Sequence, residues 1–178
     1  MTLDLPENWQ GIDPGAAKQL VTAWAARAGQ APKMKTDTTW LFTPPGDVPD
    51  VYVTVSVQAV FLTPHEVATA TPRDLDRFAK GIVEAGSRTL TAKGYQLKPG
   101  MKVERVMVSR RPAISCAVEL ADPKGGQVSL ELLAIPLDSA SLLATFTRAA
   151  TSGDSWAPTM QRARASLHLG DTIQVTAP

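Results

Sequence analysis

Three β-strands and a closing helix are predicted by residues 110–169, RRPAISCAVELADPKGGQVSLELLAIPLDSASLLATFTRAATSGDSWAPTMQRARASLHL. Apolar and polar residues alternate with a period of two in three segments of this stretch, residues 113–120, 127–135 and 141–147. The turns between them, at 122–126 and 136–140, are short and contain proline or glycine. Because connections this short join neighbouring antiparallel strands, the stretch predicts an antiparallel sheet.

The same stretch ends in a predicted amphipathic helix. Residues 152–155 supply serine and aspartate side chains that are typical of a helix start. One face of the helix carries Trp156, Met160, Ala163 and Leu167. This apolar stripe predicts that the helix packs against the sheet.

The preceding part of the chain predicts further strands and two longer helices. The strand signals lie at residues 2–5, 38–43, 51–61 and 101–108. Asp13 and Thr71 each precede a proline and an apolar stripe of helical spacing, which is the pattern of a capped helix start. We expect the first helix to run to Ala28 and the second to end at Gly94.

Composition limits the classes of function. The 178 residues include 18 Lys+Arg and 17 Asp+Glu, giving a formal net charge of +1. A nucleic-acid binder usually needs a basic surplus to displace counterions from phosphate, and a membrane-surface protein needs a polybasic helix. The only compact basic group, Arg105 with Arg110 and Arg111, is too small for either role. We therefore expect no nucleic-acid partner and no membrane insertion.

The N-terminal sequence MTLDLPENW bears on localisation. It has no positively charged start followed by an apolar segment, and no run approaches the roughly 18 apolar residues of a membrane-spanning helix. The sequence therefore predicts a soluble cytoplasmic protein, although a chain trimmed of a signal or lipoprotein leader would have the same sequence. Its length fits a single domain at residues 1–169 followed by a tail at 170–178.

No pattern of side chains in the sequence predicts catalysis. It has no nucleophile-elbow serine, phosphate-binding glycine loop, catalytic carboxylate pair or Cys/His cluster with metal-ligand spacing. The sole cysteine, Cys116, lies in an apolar alternation that predicts a buried, unreactive thiol. His65 in a predicted loop and His168 at a helix end have no spacing that joins them to it. We expect no enzymatic activity, no cofactor and no metal.

Two segments resemble the PsbP-like superfamily, which includes PsbP, Mog-type Ran-binding, LpqN-type and Eag-type secretion adaptor proteins. The sequence LDLPENW at residues 3–9 is similar to its opening strand followed by Pro-x-x-Trp. Near the other end, the sequence Arg111-Pro112-Ala113, a glycine-rich turn, two strands and a helix ending in Ser-Leu-His-Leu resemble its last third. The helix that begins at Asp13 departs from this pattern, because most members have a shorter excursion there.

The resemblance implies both a fold and a class of function. The implied fold is α+β, an antiparallel sheet of about six or seven strands with helices packed on its faces, that is, a PsbP-like α/β/α sandwich. Members of the superfamily are mostly binding, assembly or chaperone-like proteins without chemistry of their own. The implied function is a non-enzymatic protein-binding adaptor or chaperone-like protein, associated with a bacterial secretion system and binding a partner such as a secretion effector. The alternative is a carrier of a small apolar ligand held between sheet and helices.

Five residues are candidates for partner contact. Arg105, Arg110 and Arg111 lie at a strand junction, where arginine can serve as an interface anchor, although a solvated hairpin end is the simpler interpretation. Tyr52 and Thr54 lie on the polar side of the strand at residues 51–61. An exposed sheet face around Tyr52 and Thr54 would favour an adaptor, whereas an apolar pocket of several hundred Å³ would favour a carrier. The oligomeric state is left open by the sequence, a homodimer included.

Overall fold

An antiparallel sheet of eight strands forms the centre of the computed structural model. The structure describes residues 5, 7–17, 19, 39–44, 51–59, 61–92, 94–123, 126–149 and 157–168. The strands are β1 (Gln10–Ile12), β2 (Thr39–Thr43), β3 (Val51–Gln58), β4 (Gln96–Leu97), β5 (Lys102–Val108), β6 (Arg111–Ala121), β7 (Gln127–Pro136) and β8 (Ser141–Ala149). The helices whose bounds are described are α1 (Pro64–Thr69), α2 (Pro72–Ala92) and α3 (Ala157–Ser166), and residues 14–17 are also helical.

The strand order follows from hairpins and one long-range pairing. The strands lie in the order β1-β2-β3-β8-β7-β6, and both β4 and β5 pair with the side of β6 that faces away from β7. Consecutive hairpins join β5, β6, β7 and β8, whereas β3 pairs with β8 from a distant part of the chain. The prediction that the alternating segments at 113–120, 127–135 and 141–147 form one antiparallel sheet is confirmed, and the strand predicted at 51–61 joins it through β8.

One side of the sheet, here called the α3 face, buries a continuous apolar core. Val53 lies opposite Phe146 in this core, and α3 covers it through Met160, Ala163 and the following Leu167. The buried members are Trp9, Phe42, Val51, Val53, Val55, Val108, Ala113, Leu133, Ile135, Leu142, Ala144, Phe146, Ala163 and Leu167. The predicted packing of the last helix is confirmed at Met160 and Leu167, whereas Trp156 lies outside the described residues.

An ion pair also fastens α3 to the sheet. The Nε atom of Arg164 lies 3.0 Å from Oε1 of Glu131, and its Nη2 atom lies 3.7 Å from Oε1 of Glu104. The Ser115 hydroxyl donates to the same Glu131 oxygen at 2.9 Å. One arginine of α3 therefore contacts carboxylates on β5 and β7.

The opposite side, here called the α1–α2 face, has a smaller buried cluster. Val67 of α1 lies against Ile114 of β6 and Ala134 of β7. The half-buried residues packed around them are Leu62, Leu75, Phe78, Val103 and Leu143. Helices on both faces of one antiparallel sheet confirm the predicted α+β sandwich.

Both predicted helix starts that precede a proline are present. The Ala16 N–H donates to Oδ1 of Asp13 at 3.0 Å, although residues 20–28 of this predicted helix lie outside the described part of the chain. At the start of α2, the Thr71 N–H donates to Oδ2 of Asp74 at 3.0 Å. Gly94 follows α2 with φ of 78°, a left-handed conformation that stops the helix.

The segment after residue 58 differs from the sequence prediction in two respects. Strand β3 ends at Gln58 rather than at residue 61, because the chain turns there and the Phe61 N–H donates to the Ser141 hydroxyl at 3.3 Å. The turn leads into α1, which the sequence analysis did not predict, so His65 lies on a helix rather than in a loop.

The two shortest strands were also not predicted. Strand β1 lies at Gln10–Ile12, whereas the prediction placed a strand at residues 2–5, of which only Leu5 is described, outside any strand. Strand β4 consists of two residues beside the end of β6. No helix within the described residues is long and apolar enough to cross a membrane.

Candidate binding surface

A capping box fixes the start of α1 on the α1–α2 face. The Thr63 N–H donates to Oε2 of Glu66 at 2.8 Å, and the Glu66 N–H donates to the Thr63 hydroxyl at 3.2 Å. These two bonds satisfy backbone donors that a helix start leaves unpaired, and Pro64 at the first helical position has no donor to satisfy. Hydrogen bonds from Thr63, first from its backbone, lower the pKa of Glu66.

Arg105 joins the other end of α1 to the sheet. Its guanidinium Nη1 donates to the carbonyl oxygen of Ala68, in the last turn of the helix. A cation at this position also interacts favourably with the negative end of the helix dipole. Together with the cap at Thr63, this bond holds α1 across β6 beside α2.

Two apolar cavities lie where α1 and α2 meet the sheet. The first, between the two helices and Ile114, has a volume of about 390 Å³ and is lined by Val67, Leu75 and polar residues at its rim. The second, between α2 and strands β7 and β8, also has a volume of about 390 Å³ and is lined by Leu132 and Leu143. Leu62 and Phe78 line both cavities, so these two side chains separate adjoining spaces.

Phe61 lies beside the second cavity with its ring partly in solvent. Its side chain is one of two large apolar side chains that stand exposed in the described structure, with an exposed fraction of 45%. Gln58 and Gly81, both exposed, line the same cavity. The cavity is therefore open to solvent and can accept an apolar side chain or a small apolar molecule.

A third cavity, on the α3 face, has a different character. It has a volume of about 250 Å³ and lies beside Phe146 and Met160. Its polar side chains bond to one another: the Ser129 hydroxyl donates to Oε1 of Glu119 at 2.7 Å, and Arg148 donates to Ser129 at 3.4 Å. These groups satisfy one another across neighbouring strands, which favours a structural role for them.

The three arginines singled out from the sequence lie at one hairpin but point in different directions. Arg105 faces the α1–α2 face, where it bonds to α1. Arg111 pairs with Val108 on the α3 face and is half-buried. Arg110 is exposed in the two-residue turn between β5 and β6. Within the described residues, neither Arg110 nor Arg111 has a carboxylate within salt-bridge distance.

Tyr52 and Thr54 do not lie near the three arginines. Both lie on β3 facing the α1–α2 side, opposite Thr147 and Thr145 of β8, and β8 and β7 separate them from β6. Both are half-buried, and burial raises the pKa of the Tyr52 phenol, against a smaller lowering by its hydrogen bond with Thr147. The five candidate residues therefore occupy two separate places on the sheet.

Cys116 is buried, as predicted. Its exposed fraction is 1%, and it lies between Val103 of β5 and Leu132 of β7 on the α1–α2 face. Burial raises the pKa of the thiol. In the part of the chain that the structure describes, no group of three His, Cys, Asp or Glu side chains is placed to hold a metal ion.

The sequence does not predict the cavities, because three distant segments form them. Leu62 follows β3, Phe78 lies on α2, and Leu132 lies on β7. One local signal was available, since Thr63-Pro64-His65-Glu66 has the form of a capping box and predicts a helix beside Phe61 and Leu62.

Comparison with known proteins identifies the fold class. No family model matches the chain, and no curated protein matches it. Among solved structures, the cyanobacterial PsbP (CyanoP) of Synechocystis sp. PCC 6803 has a TM-score of 0.52 at 10% identity, covering 93% of this chain and 84% of that one. At this identity the similarity concerns the fold alone, and the fold is PsbP-like.

Two further structures are more distant in shape. Protein PA94 of Pseudomonas aeruginosa, of unknown function, has a TM-score of 0.47 at 15% identity over 80% of this chain and 90% of that one. LpqN of Mycobacterium tuberculosis, which is involved in cell envelope biogenesis, has a TM-score of 0.42 at 10% identity over 92% of this chain and 79% of that one.

Proposed function

We propose that this protein is a non-enzymatic adaptor or chaperone-like protein that binds another protein through its α1–α2 face. The observation that carries the proposal is the pair of adjoining apolar cavities beside the exposed ring of Phe61. Partner proteins commonly insert apolar anchor residues into depressions of this kind. The resemblance to secretion adaptors favours a secreted effector of a bacterial secretion system as the partner.

The openness of the cavities favours a protein partner over a small ligand. Small-molecule sites usually enclose most of the ligand surface. Here the second cavity is lined by exposed residues, Gln58, Phe61 and Gly81, and the rim of the first carries Glu66, Asp74 and Arg77. Such an arrangement of apolar floor and polar rim is typical of protein interfaces.

Co-purification from the native host tests this proposal. Two tagged variants are compared with the original protein. Phe61→Glu places a charge at the mouth of the second cavity, and the control Ala165→Glu places the same charge on the exposed side of α3. We expect the original protein and Ala165→Glu to retain the same partner protein and Phe61→Glu to lose it. Equal recovery with Phe61→Glu would exclude this surface, and turnover of a small molecule by the pure protein would contradict the non-enzymatic part of the proposal.

A carrier of a small apolar ligand is the second candidate. It is favoured by the almost wholly apolar lining of the cavity between α2, Leu132 and Leu143, whose volume of about 390 Å³ suits a small molecule. Native mass spectrometry of protein purified from its host distinguishes the two functions. A bound apolar molecule that is displaced by Leu143→Trp, with no protein partner recovered, would establish the carrier instead.

A further inference from the structure

Strand β5 forms an open edge of the sheet. It pairs with β6 over its whole length, from Lys102 opposite Ala117 to Val108 opposite Arg111. Among the described residues, no strand pairs with its other side. An edge of this kind offers a row of backbone donors and acceptors to an additional strand.

The turn between β5 and β6 determines which residues of β5 offer those groups. Ser109 and Arg110 have φ of 49° and 66°, the conformation of a two-residue hairpin turn with a positive φ at both positions. Such a turn makes Val108 and Arg111 a hydrogen-bonded pair. Because bonded and non-bonded pairs alternate, Val103, Arg105 and Met107 direct their backbone N–H and C=O groups outward.

Pro112 agrees with this alternation. It lies opposite Met107, in a pair that the alternation leaves without hydrogen bonds, and proline has no N–H to donate. The outward-facing groups of Met107 are thus on the free side of the strand.

The side chains of the edge include two apolar residues, one near each end, and positive charges at both ends. Met107 has an exposed fraction of 65%, and Val103 lies on the same face of β5. Lys102 is exposed at one end, and Arg110 and Arg111 lie at the other. The one acid of the strand, Glu104, already lies 3.7 Å from Arg164. An incoming strand with acidic ends would therefore meet complementary charges.

We propose that β5 binds an extended segment of a partner protein as an additional antiparallel strand, with acidic side chains of that segment near Lys102 and the Arg110–Arg111 pair. This inference rests on the proposed protein-binding function and adds a second contact to it, on another edge of the molecule. Charged side chains on an edge strand discourage unselective pairing, so complementary charge would select the partner.

A second copy of the chain fits this edge less well. Antiparallel pairing of two β5 strands over their whole length places Arg105 opposite its own counterpart. Like charges directly opposite each other destabilise a strand pair. It would also leave Arg110 and Arg111 without acidic partners.

A capped peptide of sequence Glu-Val-Thr-Thr-Thr-Val-Glu is the probe. In the antiparallel register its first residue lies opposite Val108, beside the turn that carries Arg110, and its last lies opposite Lys102. Its two valines lie opposite Met107 and Val103. The control peptide has lysine in place of both glutamates, so that only the charge differs.

Amide NMR spectra of the isotopically labelled protein provide the measurement. We expect the acidic peptide to shift the Val103, Arg105 and Met107 amides and to slow their exchange with solvent. The lysine peptide should bind at least roughly tenfold more weakly, a difference of about 1.4 kcal/mol. A double variant with Arg110→Glu and Arg111→Glu reverses two charges and should bind the acidic peptide more weakly and the lysine peptide more tightly. Arg162→Glu, on α3, should change the affinity for neither peptide.

Three results would overturn the proposal. They are equal binding of the two peptides, shifts that spread away from β5, and a concentration-dependent dimer whose β5 amides exchange slowly without peptide. Met107→Pro removes one outward-facing N–H from a position that donates no hydrogen bond to β6. This variant should no longer bind the acidic peptide, while the amide signals of the rest of the protein stay native. Because partner recovery through Phe61 is measured separately, failure of the edge contact and failure of the adaptor function are distinguishable.

Discussion

The two faces of the sheet bury their side chains in different ways. On the α3 face, valines of β3 pack against Phe146 and Leu133 in one continuous core that α3 covers. On the α1–α2 face, the same strand β3 carries Tyr52 and Thr54, and the buried cluster is small. Apolar burial is the main source of folding free energy, and among the described residues the α3 face contributes the larger share of it. The α1–α2 face has two cavities that are open to solvent.

Two phenylalanines, one on each face, give the sharpest test of this comparison. Phe146→Ala removes a buried ring from the α3 face and should lower the free energy of unfolding by about 3–5 kcal/mol. Phe78→Ala removes a half-buried ring that already adjoins two cavities, and should cost only about 1–2 kcal/mol. Urea unfolding followed by circular dichroism measures both values. Equal losses would mean that the faces are packed alike.

Cys116 tests how closed the α1–α2 face is beneath its helices. Cys116→Ser buries a hydroxyl without a partner and should cost about 1–3 kcal/mol, more than Cys116→Ala. Because the thiol is buried and burial raises its pKa, we also expect slow labelling by a thiol reagent in the native protein and fast labelling in urea. Fast native labelling would show that this face opens as far as β6.

The attachment of α3 by Arg164 should contribute less than the core beneath it. Arg164→Met keeps much of the side-chain volume but leaves Glu131 with only its bond from Ser115. Since both charged groups are partly exposed, we expect a loss of about 1 kcal/mol in urea unfolding. A double-mutant cycle with Glu131→Gln isolates the interaction between the two side chains. A coupling energy near zero would show that the ion pair does not contribute to the stability of this face.

The smallest expected effect concerns the helix starts on the α1–α2 face. Bonds from Thr63 lower the pKa of Glu66 in the folded protein, so its contribution to stability is complete above the unfolded pKa, about 4.3, and disappears as the pH falls through the folded value. The difference in Tm between the original protein and Glu66→Gln should therefore be largest near pH 6 and disappear once the pH falls below the folded pKa of Glu66.

Asp74→Asn extends the pH measurement to α2, because hydrogen bonds from Thr71 lower the pKa of Asp74 in the same direction. Asp76→Asn, which removes the same charge from α2 outside the Thr71–Asp74 pair, is the matched control. A difference between original protein and Glu66→Gln that grows as the pH falls would contradict the assigned role of the carboxylate.

The sequence predicted those elements whose signal is local and periodic. The valine alternation of β3 and the proline-led start of α2 each appear in a few consecutive residues, and the structure has them. Strand β1 has no alternation to detect, since its three residues QGI are held only by pairing with β2. Such pairing is a tertiary effect that local sequence does not encode.

The candidate site was less predictable than the fold. Leu62, Phe78 and Leu132 are unremarkable apolar residues in sequence, and only the crossing of α1 and α2 over the sheet makes them neighbours. Arg105 was singled out for partner contact, but its bond to Ala68 engages it within the molecule. Tyr52 and Arg110 share no surface, because strand order separates residues that a linear pattern cannot place.

The pairing of β3 with β8 has a consequence for synthesis on the ribosome. Strands β5 to β8 are joined by hairpins, so each can pair with its predecessor as soon as it emerges. Strand β3 is made much earlier and can pair with β2 at once. Its other edge, along which all eight residues pair with β8, stays open until that last strand of the sheet is made. During that interval Val51, Val53 and Val55 have no core to enter, which exposes the nascent chain to aggregation. The pairing that joins the first three strands to the rest of the sheet is thus among the last that can form.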